Sequence, residues 1–159
     1  MKAKLLIVSL SLIIAAACSK DKFGTDPVLT FESVNGTSFS AGQTVSFKLR
    51  LTDKEGDFYG DSTGYTKPYL YYKRFSYKCQ DSEDSVATPY NIPLFTTNKF
   101  LDVNLDINYT YGISGQYQTL RGCTNSRDDS TYFQMWIKDE AGHVSDTITT
   151  PAIVLLEIK

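Results

Sequence analysis

Three carboxylates fall within five residues at Asp53-Lys54-Glu55-Gly56-Asp57. Carboxylate oxygens this dense suit a hard cation, above all Ca²⁺, which takes roughly six to eight oxygen ligands. Gly56, Gly60 and Gly64 let the stretch that follows bend sharply. A second acidic turn, Asp139-Glu140-Ala141-Gly142-His143, lies near the C-terminus. Asp and Gly are equally the ordinary residues of a solvated turn, so residue type alone leaves both readings open.

Other candidate chemistry is weaker. Asp102-x-Asn104-x-Asp106-x-Asn108 has the spacing of an EF-hand loop but puts Ile107 where that loop needs glycine. Its intervening residues are large and apolar, so it reads as a strand with its polar face outward. His143 is the single histidine, and no serine or cysteine stands in a recognisable nucleophile motif. One histidine cannot build a typical zinc site. The chain has 18 acidic residues, and nothing selects a pair of them for glycoside hydrolysis. The expectation is a protein that is not an enzyme.

The first acidic turn follows a half-buried strand at 44–52, in which Val45, Phe47, Leu49 and Leu51 alternate with Ser46, Lys48 and Arg50. Further strands are expected at 28–34, 67–79, 101–111, 131–138 and 146–158. At 101–111, Leu101, Val103, Leu105, Ile107 and Tyr109 share one face. At 131–138 the core set is Phe133, Met135 and Ile137, with Tyr132, Gln134 and Trp136 on the other side. At 67–79 the aromatic set Tyr69, Tyr71, Phe75 and Tyr77 is assigned to the core, leaving Tyr72 and Arg74 outward. Residues 80–91 and 112–130 read as long connections. Aromatic residues make up 13% of the chain, which favours strands, and no window sustains a helical period. A net charge of −2 leaves no nucleic-acid footprint.

The N-terminus carries an address. Lys2 and Lys4 precede an apolar run at 5–17, too short to span a bilayer, which takes about 20 helical residues. Ala15-Ala16-Ala17 is a small-residue cleavage site, and Cys18 follows at once. This segment resembles a bacterial lipoprotein signal, although Ala15 stands where leucine is commoner. The alternative is an ordinary secretory signal with a chance cysteine. The resemblance implies cleavage before Cys18, lipids on Cys18, and attachment to the outer membrane through that anchor. Ser19-Lys20-Asp21-Lys22 resembles in part the surface-export signal of Bacteroidota lipoproteins, with one acid where that signal usually has two, so both membrane faces stay open. Residues 18–27 then read as a tether and 28–159 as one domain, a suitable size for a single core.

Short strands separated by turns indicate an all-β fold. Trp136-Ile137-Lys138-Asp139-Glu140-Ala141-Gly142-His143-Val144-Ser145-Asp146-Thr147 resembles the F–G hairpin of bacterial immunoglobulin-like domains. Leu51-Thr52-Asp53-Lys54-Glu55-Gly56-Asp57 is similar to the exit of strand B in the same group, which includes cadherin-like, calcium-stabilised domains. The resemblance implies a single immunoglobulin-like β-sandwich whose two acidic turns share one pole. Asp53, Glu55, Asp57 and Asp139 would then form a Ca²⁺ site. It also makes the strand that ends at Cys79 and the strand that starts shortly after Cys123 antiparallel neighbours, so these two would form a disulfide in an oxidising compartment. The alternation in these strands would leave Trp136, Tyr72, Tyr132 and Arg74 as an outer contact patch for a glycan or protein partner, unless the connections at 80–91 or 112–130 cover that face, as buried aromatics are the commoner outcome. The implied function is a membrane-anchored binding or spacer module of the cell envelope, or a glycan-binding accessory lipoprotein.

Overall fold

The computed structural model describes residues 25–58, 68–79, 86–92, 95, 100–112, 119–120, 123 and 127–157, with the backbone alone for residues 68, 69 and 119. The expected signal segment, Cys18 and most of the expected tether lie outside the described residues.

The described chain is all-β. Its strands are β1 (Val28–Val34), β2 (Ser38–Phe39), β3 (Thr44–Asp53), β4 (Pro68–Ser76), β5 (Thr88–Asn91), β6 (Leu101–Tyr111), β7 (Thr119–Leu120), β8 (Asp129–Ile137), β9 (Ile148–Thr149) and β10 (Ile153–Leu155). They form two mixed sheets. One runs β1-β3-β6-β7 and the other β2-β10-β8-β4-β5, with β9 also paired to β8. The sheets face each other across one core, as in a β-sandwich.

The first sheet follows from the alternation in β3. Val45, Phe47, Leu49 and Leu51 are buried, and Lys48 and Arg50 are exposed between them. β6 pairs antiparallel with β3 along its whole length, from Thr44↔Thr110 to Asp53↔Leu101. Its inward residues Leu101, Leu105, Ile107 and Tyr109 extend the same apolar face. Asp102, Asn104, Asp106 and Asn108 are all exposed on the other side, which is the placement expected for a strand and not for a cation loop. On that outer face the Arg50 guanidinium donates to both Asp102 oxygens, at 2.8 and 2.6 Å.

The second sheet brings Phe133, Met135 and Ile137 of β8 against this face. The Phe47 ring meets Tyr109 and Phe133 edge-on, at centroid distances of 6.0 and 5.0 Å. Such contacts add to area burial because the positive edge of one ring meets the negative face of the next. Tyr109 sits at the centre of this cluster, and burial raises its phenol pKa well above the ordinary value, helped by Tyr72 and Tyr90.

β4 corrects the expected facing. Leu70 is fully buried, Tyr72 packs on the core and Arg74 is also buried. Tyr71 and Phe75 lie on the opposite side of the strand, followed by the exposed Tyr77. The physical reason is shape. Tyr72 enters edge-on to Tyr109 at 5.2 Å and meets Phe133 at 6.0 Å, filling the space between the sheets.

Two expected connections contain strands. Residues 88–91 pair with β4 as the edge strand β5, where Pro89 can sit without breaking an inner ladder. Leu120 of β7 extends β6 in parallel and is buried. The single strand expected at 146–158 is instead divided into β9 and β10. The register on β8 shifts by one residue between Thr149↔Gln134 and Ile153↔Thr131. Pro151 has no N–H and interrupts the ladder there. Thr150 compensates: its N–H donates to the Phe133 carbonyl at 2.9 Å, and its Oγ1 accepts from the Phe133 N–H at 3.0 Å.

Candidate functional site

The two acidic turns are built alike. Each starts with an Asp at or just past the end of a strand, Asp53 closing β3 and Asp139 two residues after β8, and has a glycine three residues later in the left-handed region, Gly56 at φ 65° and Gly142 at φ 97°. A non-glycine residue adopts such φ values at a steric cost. The left-handed glycine turns its N–H back onto the Asp carboxylate. Gly56 N–H donates to Asp53 Oδ2, and Gly142 N–H donates to Asp139 Oδ1 at 2.6 Å. His143 N–H donates to the same Asp139 oxygen at 2.7 Å. The shared pattern Asp-x-x-Gly is visible in the sequence and is the signal for this geometry.

The fold brings the two turns into contact. The Glu140 N–H donates to the Asp57 carbonyl at 3.2 Å. One carboxylate oxygen from each of Asp53, Asp57 and Asp139 lies within 4.8 Å of the other two. Asp53 is 1% exposed and Asp139 is 4% exposed, with Asp57 half-buried beside them, so most of the group is withdrawn from solvent. Two of its oxygens, Asp53 Oδ1 and Asp57 Oδ1, are buried without a hydrogen-bond partner. Glu55, which the sequence reading placed in the same set, is exposed and stands outside this group of three.

The electrostatics follow from that burial. Desolvation raises the Asp53 pKa. The Gly56 and Asp57 N–H groups oppose the rise, and the charges of Asp57 and Asp139 add to it. His143 Nδ1 lies 2.9 Å from Asp139 Oδ2, and this contact raises the histidine pKa, aided by the charges of Asp139, Asp26 and Glu55. His143 thus supports an acidic residue of the group.

The cysteine pair meets at a different place. Cys79 and Cys123 form a disulfide with Cα atoms 5.6 Å apart, linking the end of β4 to the segment before β8. The Cys79 N–H donates to Ser76 Oγ at 2.7 Å, and Ser76 Oγ donates to Asp129 Oδ1 at 2.6 Å. Asp129 is fully buried, and its other oxygen has no hydrogen-bond partner. It lies close to both sulfurs. Because the sulfurs are bonded to each other, neither is available as a thiolate ligand.

The expected aromatic patch is rearranged. Trp136 and Tyr132 are on the outer face of β8, as expected, each half-buried. Tyr72 and Arg74 are on the inner face and cannot join them. Their places are taken by Tyr71, stacked on Trp136 at 6.0 Å, and by Phe75, stacked on Tyr132 at 5.1 Å. Tyr77, 67% exposed, continues the row beside Tyr132 at 5.5 Å. Sequence reasoning missed these residues because it assigned the aromatic set of β4 to the core.

Comparison of the chain with protein-family models, curated proteins and solved structures returns no match.

Proposed function

We propose that the chain is a non-catalytic, lipid-anchored, immunoglobulin-like module of the bacterial cell envelope that binds or spaces. The observation that carries this reading is the disulfide between Cys79 and Cys123. Such a bridge persists in oxidising compartments outside the cytoplasm. That is where an N-terminal signal ending at Cys18 would deliver the chain. The strand order supports the immunoglobulin-like type. The run β1-β3-β6 corresponds to strands A-B-E, and β10-β8-β4-β5 corresponds to G-F-C-C′. Cleavage before Cys18 leaves about ten residues of tether before β1.

The test is metabolic labelling of cells with a palmitate analogue, followed by membrane fractionation of wild type and Cys18→Ala. Wild type should carry the label and sediment with membranes, and the variant should lose both the label and normal processing. An unlabelled mature chain starting at another residue would sink the proposal. Protease shaving of intact cells would then assign the membrane face.

A second reading is favoured by the ring row on the outer face of β4 and β8. The row runs from half-buried Tyr71 and Trp136 to the exposed Tyr77, and aromatic surface of this kind is what a sugar ring packs against, which supports a glycan-binding accessory role. A glycan array probed with wild type and with Trp136→Ala tests it. Glycan binding unchanged by Trp136→Ala removes it.

A further inference from the structure

We propose that Asp53, Asp57 and Asp139 bind one Ca²⁺ ion that ties the loop after β3 to the hairpin after β8. The inference is independent of how the chain is anchored.

It starts from the two orphaned oxygens. Asp53 is almost wholly buried, and its Oδ2 is held by the Gly56 N–H, yet its Oδ1 has no hydrogen-bond partner. Asp57 Oδ1 is in the same condition. A buried polar atom left unmatched is unfavourable, and a charged one more so. Buried polar groups in folded proteins are almost always satisfied, so two adjacent exceptions on carboxylates point to something that completes them.

The geometry fits a cation. One oxygen from each of the three carboxylates lies within 4.8 Å of the others. Calcium–oxygen distances of about 2.4 Å place opposite ligands about 4.8 Å apart, so one ion can touch all three. The set is all oxygen, which selects a hard cation over zinc or copper. Mg²⁺ usually keeps most of its water and takes only one or two carboxylates, so a three-carboxylate set favours Ca²⁺.

The supporting shell is already in place. Asp139 accepts N–H groups from Gly142 and His143 on Oδ1 and contacts His143 Nδ1 through Oδ2. These bonds orient the carboxylate, and Oδ2, with one contact where Oδ1 has two, keeps a lone pair for the ion. Asp53 and Asp57 come from one loop and Asp139 from the other, so the ion would act as a clamp across the pole. Glu55 is exposed and takes no part.

The experiment is equilibrium dialysis of the full chain in detergent against radioactive Ca²⁺, with wild type, Asp57→Asn and Glu55→Gln. Wild type should take up one ion per chain, with half-saturation at or below about 1 mM. Asp57→Asn should weaken binding about tenfold or more, whereas Glu55→Gln should stay close to wild type. Should Asp57→Asn misfold, amide NMR of the wild type gives an independent readout, since Ca²⁺ should shift Gly56 and Gly142 first. The proposal is overturned if wild type takes up no Ca²⁺, if Glu55→Gln loses as much as Asp57→Asn, or if the shifts appear away from these two glycines.

Discussion

Removing the disulfide by replacing Cys79 and Cys123 together with serine should destabilise the domain chiefly through the unfolded state. The bridge spans a sequence separation of 44 residues. In the chain-entropy model a loop of this length loses about 13 cal/mol/K, or about 4 kcal/mol at 25 °C. The native ends do not depend on the bridge alone. Tyr77 N–H donates to the Ser130 carbonyl at 2.9 Å, and Thr131 Oγ1 donates to the Phe75 carbonyl at 2.7 Å. β4 and β8 are also registered from Leu70↔Ile137 to Ser76↔Thr131. These contacts should survive the substitution, so the folded structure should change little while the unfolded chain gains freedom. The assay is urea denaturation of both proteins without reductant, followed by fluorescence and circular dichroism. The expected result is a loss of about 3–4 kcal/mol with a similar folded-state spectrum. A loss below about 1 kcal/mol would refute the reasoning, because it would mean that the unfolded chain already holds this loop closed.

The facing of β4 predicts unequal costs for neighbouring tyrosines: Tyr72→Ala opens a cavity beside Tyr109 and Phe133 and should cost about 3 kcal/mol or more. Tyr71→Ala on the outer face should cost less than half as much, and equal losses in thermal melts would argue against the assigned facing. The Arg50 guanidinium holds the Asp102 carboxyl below its usual pKa, chiefly by the side-chain hydrogen bond. Because this folded pKa is depressed, the stabilising contribution is present above the unfolded value of about 3.9 and is lost as pH falls through the folded value. A carboxyl NMR titration should show Asp102 moving back up in Arg50→Gln, and an unchanged titration would remove the pair as the cause. Ca²⁺ at about 100 times its dissociation constant should add about 2.7 kcal/mol to stability. Thermal melts of wild type should therefore move up by several degrees relative to EDTA, and identical melts would count against the clamp.

Much of the first sheet is written locally in the chain. In β3 and β6 polar and apolar residues alternate, and a period of two assigns each side chain to a face without knowledge of the partner strand. The two Asp-x-x-Gly turns are likewise local, since only glycine at Gly56 and Gly142 readily allows the left-handed turn that caps each Asp. β4 is different. Tyr69-Leu70-Tyr71-Tyr72 has a large apolar or aromatic residue at every position, so periodicity is silent and the choice falls to packing. Leu70 and Tyr72 face inward because they fit against the opposite sheet, and the outer ring row follows from that choice. The short strands β2 and β7 exist only as partners of β10 and β6, and two residues carry no periodic signal. The acidic group shows the same division. The sequence contains its carboxylates, but a turn has no fixed repeat to say where each side chain points. Only the meeting of two loops, 82 to 86 residues apart in the chain, selects Asp139 with Asp53 and Asp57 and leaves Glu55 in solvent.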